Sequence, residues 1–277
     1  MDCADTVDRS EITKAFRAKG IWVLSYLAAP DDTNPANCFH YICKDKNYNM
    51  DDLNANSRRD IRRGFRSFNI RLCSWDELLQ KGYPAHADTA ARHGYSKPSM
   101  NELPQMAQQQ RSFPFFEIWG AWDGDMLVAW LQVVKVDNWA MINIVRSCTA
   151  SLRMCPNNAL LYAATNHLLC NEKRAYVTYG LSSSQIDVNQ ASMHAYKLKM
   201  GYEAIAMRRV FMPRSSIKLL VTSKLLALTL TRIARTFPNF AILKKAAGMC
   251  QQISGCATAS TNVNAEHINM SQKDETQ

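Results

Sequence analysis

The chain has 277 residues, 47% of them hydrophobic, and a formal charge of +9. That length suits one large or two small globular domains, and the apolar fraction excludes general disorder. No run of about eighteen apolar residues is free of charge, which disfavours a membrane-spanning helix, and the basic excess favours anionic partners without choosing among coenzyme, acyl carrier, nucleic acid and lipid surface.

The N-terminus is acidic (Asp2, Asp5, Asp8, Glu11) and lacks the basic region and apolar run of a secretory leader. The nine cysteines are therefore expected to be reduced thiols of a cytoplasmic protein. Acids early and Lys14, Arg17 and Lys19 late, with Gly20 beyond, predict a short helix over 9–19. Cys38-Phe39-His40-Tyr41-Ile42-Cys43 gathers metal-ligand types, but its alternation and the lack of a second Cys/His pair favour a strand over Phe39–Cys43, and no metal is expected. Ser57-Arg58-Arg59-Asp60 opens a helix with capping-box spacing and an apolar stripe of Ile61, Phe65 and Phe68. A strand over Asn69–Cys73 leads to a second Ser-x-x-Glu start at Ser74, whose helical region runs on through the eighties, and a further helix follows Ser99.

The pattern then changes to aromatic and β-branched runs. Phe113–Trp122, the hairpin turn Asp123-Gly124, Met126–Val136, the turn Asp137-Asn138 and Trp139–Val145 predict an antiparallel meander. Pro156 starts a helix with Leu160, Leu161, Ala164, Leu168 and Leu169 on one face. A strand over Ala175–Leu181, a helix over Asn189–Met200 stopped by Gly201, and a strand over Tyr202–Met212 ended by Pro213 follow. This order predicts the α+β class, with helices on a mixed, mostly antiparallel sheet.

The element order, with Ser192–Tyr202 (SMHAYKLKMGY) as a late helix-to-strand junction, resembles the GNAT superfamily of N-acyltransferases, and within it the Fem-type aminoacyltransferases and related bacterial proteins. Tyr196-Lys197-Leu198-Lys199-Met200-Gly201-Tyr202 is similar to the Phe-Lys-x-Lys-x-Gly-Phe phrase of those proteins, and Asn56–Phe65 (NSRRDIRRGF) to their arginine-rich helix. The resemblance spans roughly Phe39 to Met212 and implies a GNAT-like acyltransferase domain over 1–214. It also implies transfer of an acyl or aminoacyl group to an amine from a thioester, such as acyl-CoA or an acyl carrier protein, or from aminoacyl-tRNA. Two features depart from the family. Arg146–Asn158 (RSCTASLRMCPNN) holds no glycine where the family's cofactor loop has them, and Lys197 stands where many members have a tyrosine acid, with Tyr196 one place earlier. A non-catalytic anion- or carrier-binding module on the same scaffold is the alternative.

The resemblance assigns the pantetheine arm to the backbone of Asn143, Ile144 and Val145. Amides near Asn157 and Asn158 at the next helix start form an anion site helped by Arg146 or Arg153, or are capped by their own loop. Lys197 can stabilise a developing anion. Glu117, among aromatic residues, is a base with a raised pKa if it points inward, and an ordinary solvated acid if alternation turns it out; His194 is a second base or a helix-surface histidine. Arg58, Arg59, Arg62 and Arg63 gain nothing from a helix N-terminus, so they either grip an anionic partner or form a solvated face. Nucleic acid is disfavoured because exposed aromatics do not interleave with these arginines.

Beyond Pro213, Leu219, Leu226, Leu230, Ile233 and Phe237 make a stripe, with Lys218, Lys224, Arg232 and Arg235 around it, and a second basic helix covers Ala241–Cys250. This extension, 215–252, either packs on the core or lies on an anionic membrane, which would place the protein peripherally at the inner membrane surface. Residues 253–277 read as a disordered tail.

Overall fold

The computed structural model describes residues 14, 16–17, 20–28, 33–184, 190–237 and 240–255. Most of the helix expected over 9–19, and the tail beyond Gly255, lie outside them. In chain order the strands are β1 (Val23–Leu27), β2 (Cys38–Cys43), β3 (Asn69–Leu72), β4 (Phe116–Asp123), β5 (Met126–Val136), β6 (Trp139–Ser147), β7 (Val177–Leu181), β8 (Glu203–Met207) and β9 (Arg209–Pro213). The helices are α1 (Ala55–Ser67), α2 (Trp75–Lys81), α3 (Tyr83–Arg92), α4 (Glu102–Gln110), α5 (Pro156–Asn166), α6 (Gln190–Lys199), α7 (Ser215–Val221), α8 (Lys224–Thr236) and α9 (Ala241–Ser254).

Seven strands form one mixed, mostly antiparallel sheet in the order β3-β4-β5-β6-β7-β2-β8, and β1 pairs with β9 in a second. Contacts divide the chain into two compact units, Tyr41–Gly180 with Ala191–Ala204, and Met1–His40 with Leu181–Gln190 and Ile205–Gln277. In the first unit the meander β4-β5-β6 stands as its turns predict, with Gly124 at φ 54° and Asp137 at φ 44° in the two hairpin corners. One face of the meander packs through Ile118, Trp130 and Ile144 against Leu78, Ala85 and Leu103 of α2, α3 and α4. On the opposite face, Trp119 meets His167 in the π-helical turn His167–Asn171 that continues α5.

Several boundaries differ from the sequence reading, each for a local reason. Helix α1 begins two residues before Ser57, because the Asn54 side chain accepts the Ser57 N–H at 2.9 Å, while the Ser57 hydroxyl donates to the Lys199 carbonyl at 2.8 Å. Ile61 and Phe68 are buried as expected, but Phe65 is 41% exposed, and Gly64 is the residue that faces α5. A Cβ on Gly64 would come within 2.6 Å of the Cys155 carbonyl and the Ala159 Cβ, so its lack of a side chain sets how closely α1 approaches α5. The capping box at Ser74 is present, with Glu77 N–H donating to Ser74 Oγ at 3.1 Å and Ser74 N–H to Glu77 Oε2 at 2.8 Å. Its helix stops at Gly82, and Pro84 opens α3, so two helices replace the one expected. Trp130 Nε1 donates to the Gly82 carbonyl at 3.1 Å and ties that corner to the sheet.

The strand expected over Tyr202–Met212 breaks at Arg208 into β8 and β9. β9 pairs with β1, a strand the sequence reading missed. The extension is interrupted at Thr222-Ser223, where the Ser223 hydroxyl caps α8. Val221, Ala227 and Cys250 make a small core there, joined by Ile217, Leu226, Leu230 and Ile253. Within the stripe read from sequence, Leu226 and Leu230 face this core, whereas Leu219, Ile233 and Phe237 stay exposed.

Candidate functional site

β6 and β7 are parallel and register only over two pairs, Ala140 with Val177 and Met141 with Thr178, before they part. Just past that point β6 carries a bulge. Gln132 opposes Ile144 and Val133 opposes Ile142, which leaves Asn143 as the extra residue. The bulge is pinned by a chain through the buried Gln132, in which Asn143 Nδ2 donates to Gln132 Oε1 and Gln132 Nε2 to Gln110 Oε1, both at 2.8 Å. Ala140 N–H bonds the Tyr176 carbonyl at 3.1 Å, and Ser147 N–H, on the same edge beyond the bulge, bonds Thr89 Oγ1 at 2.8 Å. Between them the Val145 peptide faces the opening by alternation, so of the three residues assigned to a pantetheine arm, Val145 offers backbone, Asn143 is the bulge, and Ile144 packs into the helix-side core.

The segment after β6 is not an open loop. It winds as a 3-10 turn over Thr149–Met154 and reaches Cys155 in the left-handed region, φ 59° and ψ 42°, before Pro156 opens α5. Three side chains of α3 fasten it: Asp88 accepts from the Thr149 N–H at 2.7 Å, Thr89 Oγ1 donates to the Ser147 carbonyl at 3.1 Å, and Arg92 donates to Thr149 Oγ1 at 2.8 Å. The first turn of α5 has no side-chain cap, and Asn157 Nδ2 reaches back to Ser147 Oγ at 3.2 Å. Gly64 lies against Cys155 and Ala159, and the Arg63 charge acts on the Cys155 thiol, so the arginine helix and the candidate anion site, read separately from sequence, meet at the start of α5. Arg153 is exposed at the end of the 3-10 turn.

The other arginines of α1 have local duties. Arg58 donates to the carbonyls of Asp51 and Leu53 at 2.9 and 3.0 Å, Arg59 pairs with Asp60 at 3.1 Å, and Arg62 lies 3.8 Å from Asp51. The placement that local helix energetics disfavours is thus partly explained by the turn before the helix, whose carbonyls Arg58 satisfies. Arg146 points to the opposite face of β6 from α5: it is one residue from Ser147, and its Nε donates to His86 Nδ1 of α3 at 3.0 Å. It does not join Asn157 and Asn158.

Lys197 of α6 is 6% exposed, and among the described residues no carboxylate pairs with it. Its ammonium donates to the Tyr179 carbonyl at 2.9 Å and sits over the Tyr41 ring at 4.0 Å and the Tyr179 ring at 4.8 Å. Burial lowers its pKa to about 8. Tyr179 follows the last residue of β7 paired with β6, so this cage stands where the sheet opens. Tyr41 also shares a 3.0 Å hydrogen bond with His194 Nδ1. The Tyr196 phenol, on the residue before Lys197 in α6, is pushed well up by burial and by the charges of Tyr179, Tyr48 and Cys155. Tyr41 and Tyr179 carried no local signal in the sequence, because each joins the site only through strand order.

Glu117 faces the α5 side of the meander in an ion network. Lys135 bridges Glu117 and Glu172, Trp119 Nε1 donates to Glu117 Oε1 at 2.8 Å, and Arg174 pairs with Glu172 at 2.8 Å. It is neither an isolated buried acid nor a solvated one. Glu117, His167 and Glu172 have metal-ligand chemistry, yet the Lys135 ammonium already takes the carboxylate oxygens a cation would need.

No protein-family profile matches the sequence, and no characterised protein matches it by sequence. Among solved structures, FemX superposes with TM-score 0.52 at 9% identity, covering 77% of this chain and 71% of its own. L-PGS from Bacillus licheniformis gives TM-score 0.42 at 9% identity over 83% of this chain and 70% of its own. An N-acetyltransferase, PaiA, from Thermoplasma acidophilum in complex with coenzyme A gives 0.37 at 14% identity over 53% of this chain and 99% of its own. The FemX likeness establishes that the chain shares the FemX fold, and at that identity it establishes the fold alone.

Proposed function

We propose that the protein is an acyltransferase that moves an acyl or aminoacyl group from an activated carrier to an amine. The observation that carries this reading is the buried, carboxylate-free Lys197 ammonium at the opening between β6 and β7. Acyl transfer builds negative charge on a carbonyl oxygen and then on a leaving thiol or hydroxyl, and a preorganised cation in a dry site stabilises both. The Val145 peptide supplies an edge for the donor's arm, and the uncapped first turn of α5 with Arg63 suits the donor's phosphate. The glycine-free turn fastened by Asp88, Thr89 and Arg92 argues against a conventional grip on a coenzyme pyrophosphate, so acyl-CoA stands here beside an acyl carrier protein and an aminoacyl-tRNA as donor. Glu117 remains a base only if the Lys135 bridge opens. The same closed turn favours the second reading, a binding module without catalysis.

Calorimetric titration with coenzyme A, acyl thioesters, acyl carrier protein and an aminoacyl-RNA mimic separates the two, together with an assay for amide product. Binding without transfer supports the module; silence across the panel rejects both.

We further propose that the C-terminal helices meet an anionic membrane surface. Leu219, Leu220, Leu225 and Ile242 are 90%, 59%, 75% and 77% exposed, and Lys218 and Lys224 adjoin them in sequence. Exposed leucines gain by entering the headgroup boundary, and each nearby basic residue adds about 1 kcal/mol at an anionic surface.

A further inference from the structure

On the helix-side face of the meander, a cavity of about 310 Å³ opens over Arg146, walled by Leu103, Met106, Trp130 and Ile144, with His86 and Glu102 on its rim. Arg146 spends two of its guanidinium hydrogens within the protein, one on His86 Nδ1 at 3.0 Å and one on the Val145 carbonyl at 3.0 Å. Three N–H groups remain for the cavity. No carboxylate pairs with Arg146 directly among the described residues, and burial works against its charge. The bond from Arg146 also fixes His86. Nδ1 must accept, so the imidazole proton is on Nε2, which faces Glu102 Oε2 at 3.1 Å. Glu102 is thereby held as a carboxylate, lowered by its bond to His86 and by the backbone of Ser99. The cavity therefore has a guanidinium fork at one place, a carboxylate at another, neutral imidazole between them, and apolar walls.

We propose that this cavity is the acceptor subsite and that it takes an α-amino acid with an apolar side chain, its carboxylate on Arg146 and its amino group toward Glu102. The assignment as acceptor rests on the acyltransferase reading above. A monoanionic carboxylate accepts two parallel bonds from a guanidinium fork, whereas a dianionic phosphate would also face Glu102. The volume lies at the low end of ligand pockets, roughly 300–1,000 Å³, and suits one amino acid rather than a long peptide. Ile144 and Arg146, which line the cavity, flank Val145, whose peptide edges the opening between β6 and β7, so an amino acid held on Arg146 lies within one residue of that edge.

The test is calorimetric titration of the full chain with leucine and with leucinamide, which differ in the carboxylate alone at that end. Leucine is expected to bind at least ten-fold more tightly. Arg146→Gln should remove that preference by weakening leucine at least ten-fold while leaving leucinamide unchanged, and Glu102→Gln, a change at a half-exposed rim residue, should weaken both. Equal binding of the two ligands, binding of neither, or an unaltered preference in a folded Arg146→Gln protein overturns the subsite. Failure of the wider reading looks different: leucine would bind through Arg146 with no donor yielding amide product. Transfer to amines with and without a carboxylate at equal rates, insensitive to Arg146→Gln, would sink the subsite and leave the transferase standing.

Discussion

Lysine is used in opposite ways in the two units. In the sheet unit, Lys135 is enclosed between Glu117 and Glu172, and Lys197 is enclosed by two tyrosine rings. Along the C-terminal helices, Lys218 and Lys224 stay in solvent beside exposed leucines. Between Ala204 and Gly255 lie nine of the 33 basic residues and none of the 24 acids, so this segment alone carries the formal +9 and the rest of the chain is balanced. Where charge is balanced it can be buried in pairs or cages; where it is one-signed and exposed it sets a positive field in the solvent around it.

The comparison breaks most visibly at Lys197. Lys197→Ala is expected to lower kcat about 100- to 1,000-fold, the usual cost of losing an oxyanion-stabilising group, with Lys197→Arg partly restoring it. The wild-type rate should fall as pH rises through about 8, where the ammonium is lost, and the alanine variant should lack that limb. A variant within a few-fold of wild type would leave the lysine without a catalytic role.

Next in size is the contrast in exposure. Leu219→Ser with Leu225→Ser should leave the melting temperature unchanged, since both side chains are mostly in water, yet reduce cosedimentation with phosphatidylserine vesicles roughly 10- to 100-fold, at about 1.5–3 kcal/mol per leucine buried in full. Wild-type protein that ignores such vesicles at low salt would end the membrane reading.

Gly64→Ala probes the packing that brings Arg63 to Cys155. Its Cβ overlaps backbone on α5, so we expect a loss of about 1–3 kcal/mol in urea unfolding. A neutral result would mean that the two helices part without cost.

The smallest effect sharpens the burial of Lys197. A lysine whose pKa falls to about 8 on folding destabilises the native state while it is charged, because the unfolded chain holds the proton more tightly up to about 10.4. The unfolding free energy of wild type relative to Lys197→Met should therefore rise by about 2 kcal/mol between pH 8 and 10, a difference that cancels the opposing titration of buried thiols common to both proteins. A flat difference would show that the ammonium is not buried in solution.

Much of the fold was legible because its signals are local. Asp123-Gly124 and Asp137-Asn138 mark corners, Ser74-x-x-Glu77 marks a cap, Pro156 starts a helix, and Gly201, at φ 81°, ends one. Alternation in the meander and helical spacing after Pro156 follow from the two backbone periods. Lys197 and Tyr196 were singled out through one short phrase before Gly201, but that Lys197 is buried between two tyrosine rings was not visible there. The pairing of β1 with β9 was not, since Val23–Leu27 shows no pattern that names a partner 182 to 190 residues away. Nor was the fate of Glu117 and Arg146. Alternation says that each leaves its strand on one side, but what waits there, Lys135 bridged to Glu172 or His86 bonded to Glu102, depends on helices far along the chain. The sequence by itself determined where the chain turns and which side chains share a face, because those follow from bonds within a few residues. Only the tertiary structure decided which charges are paired, which are caged and which are left in water, because burial is a property of the elements that close over a residue and not of the residue's neighbours in the chain.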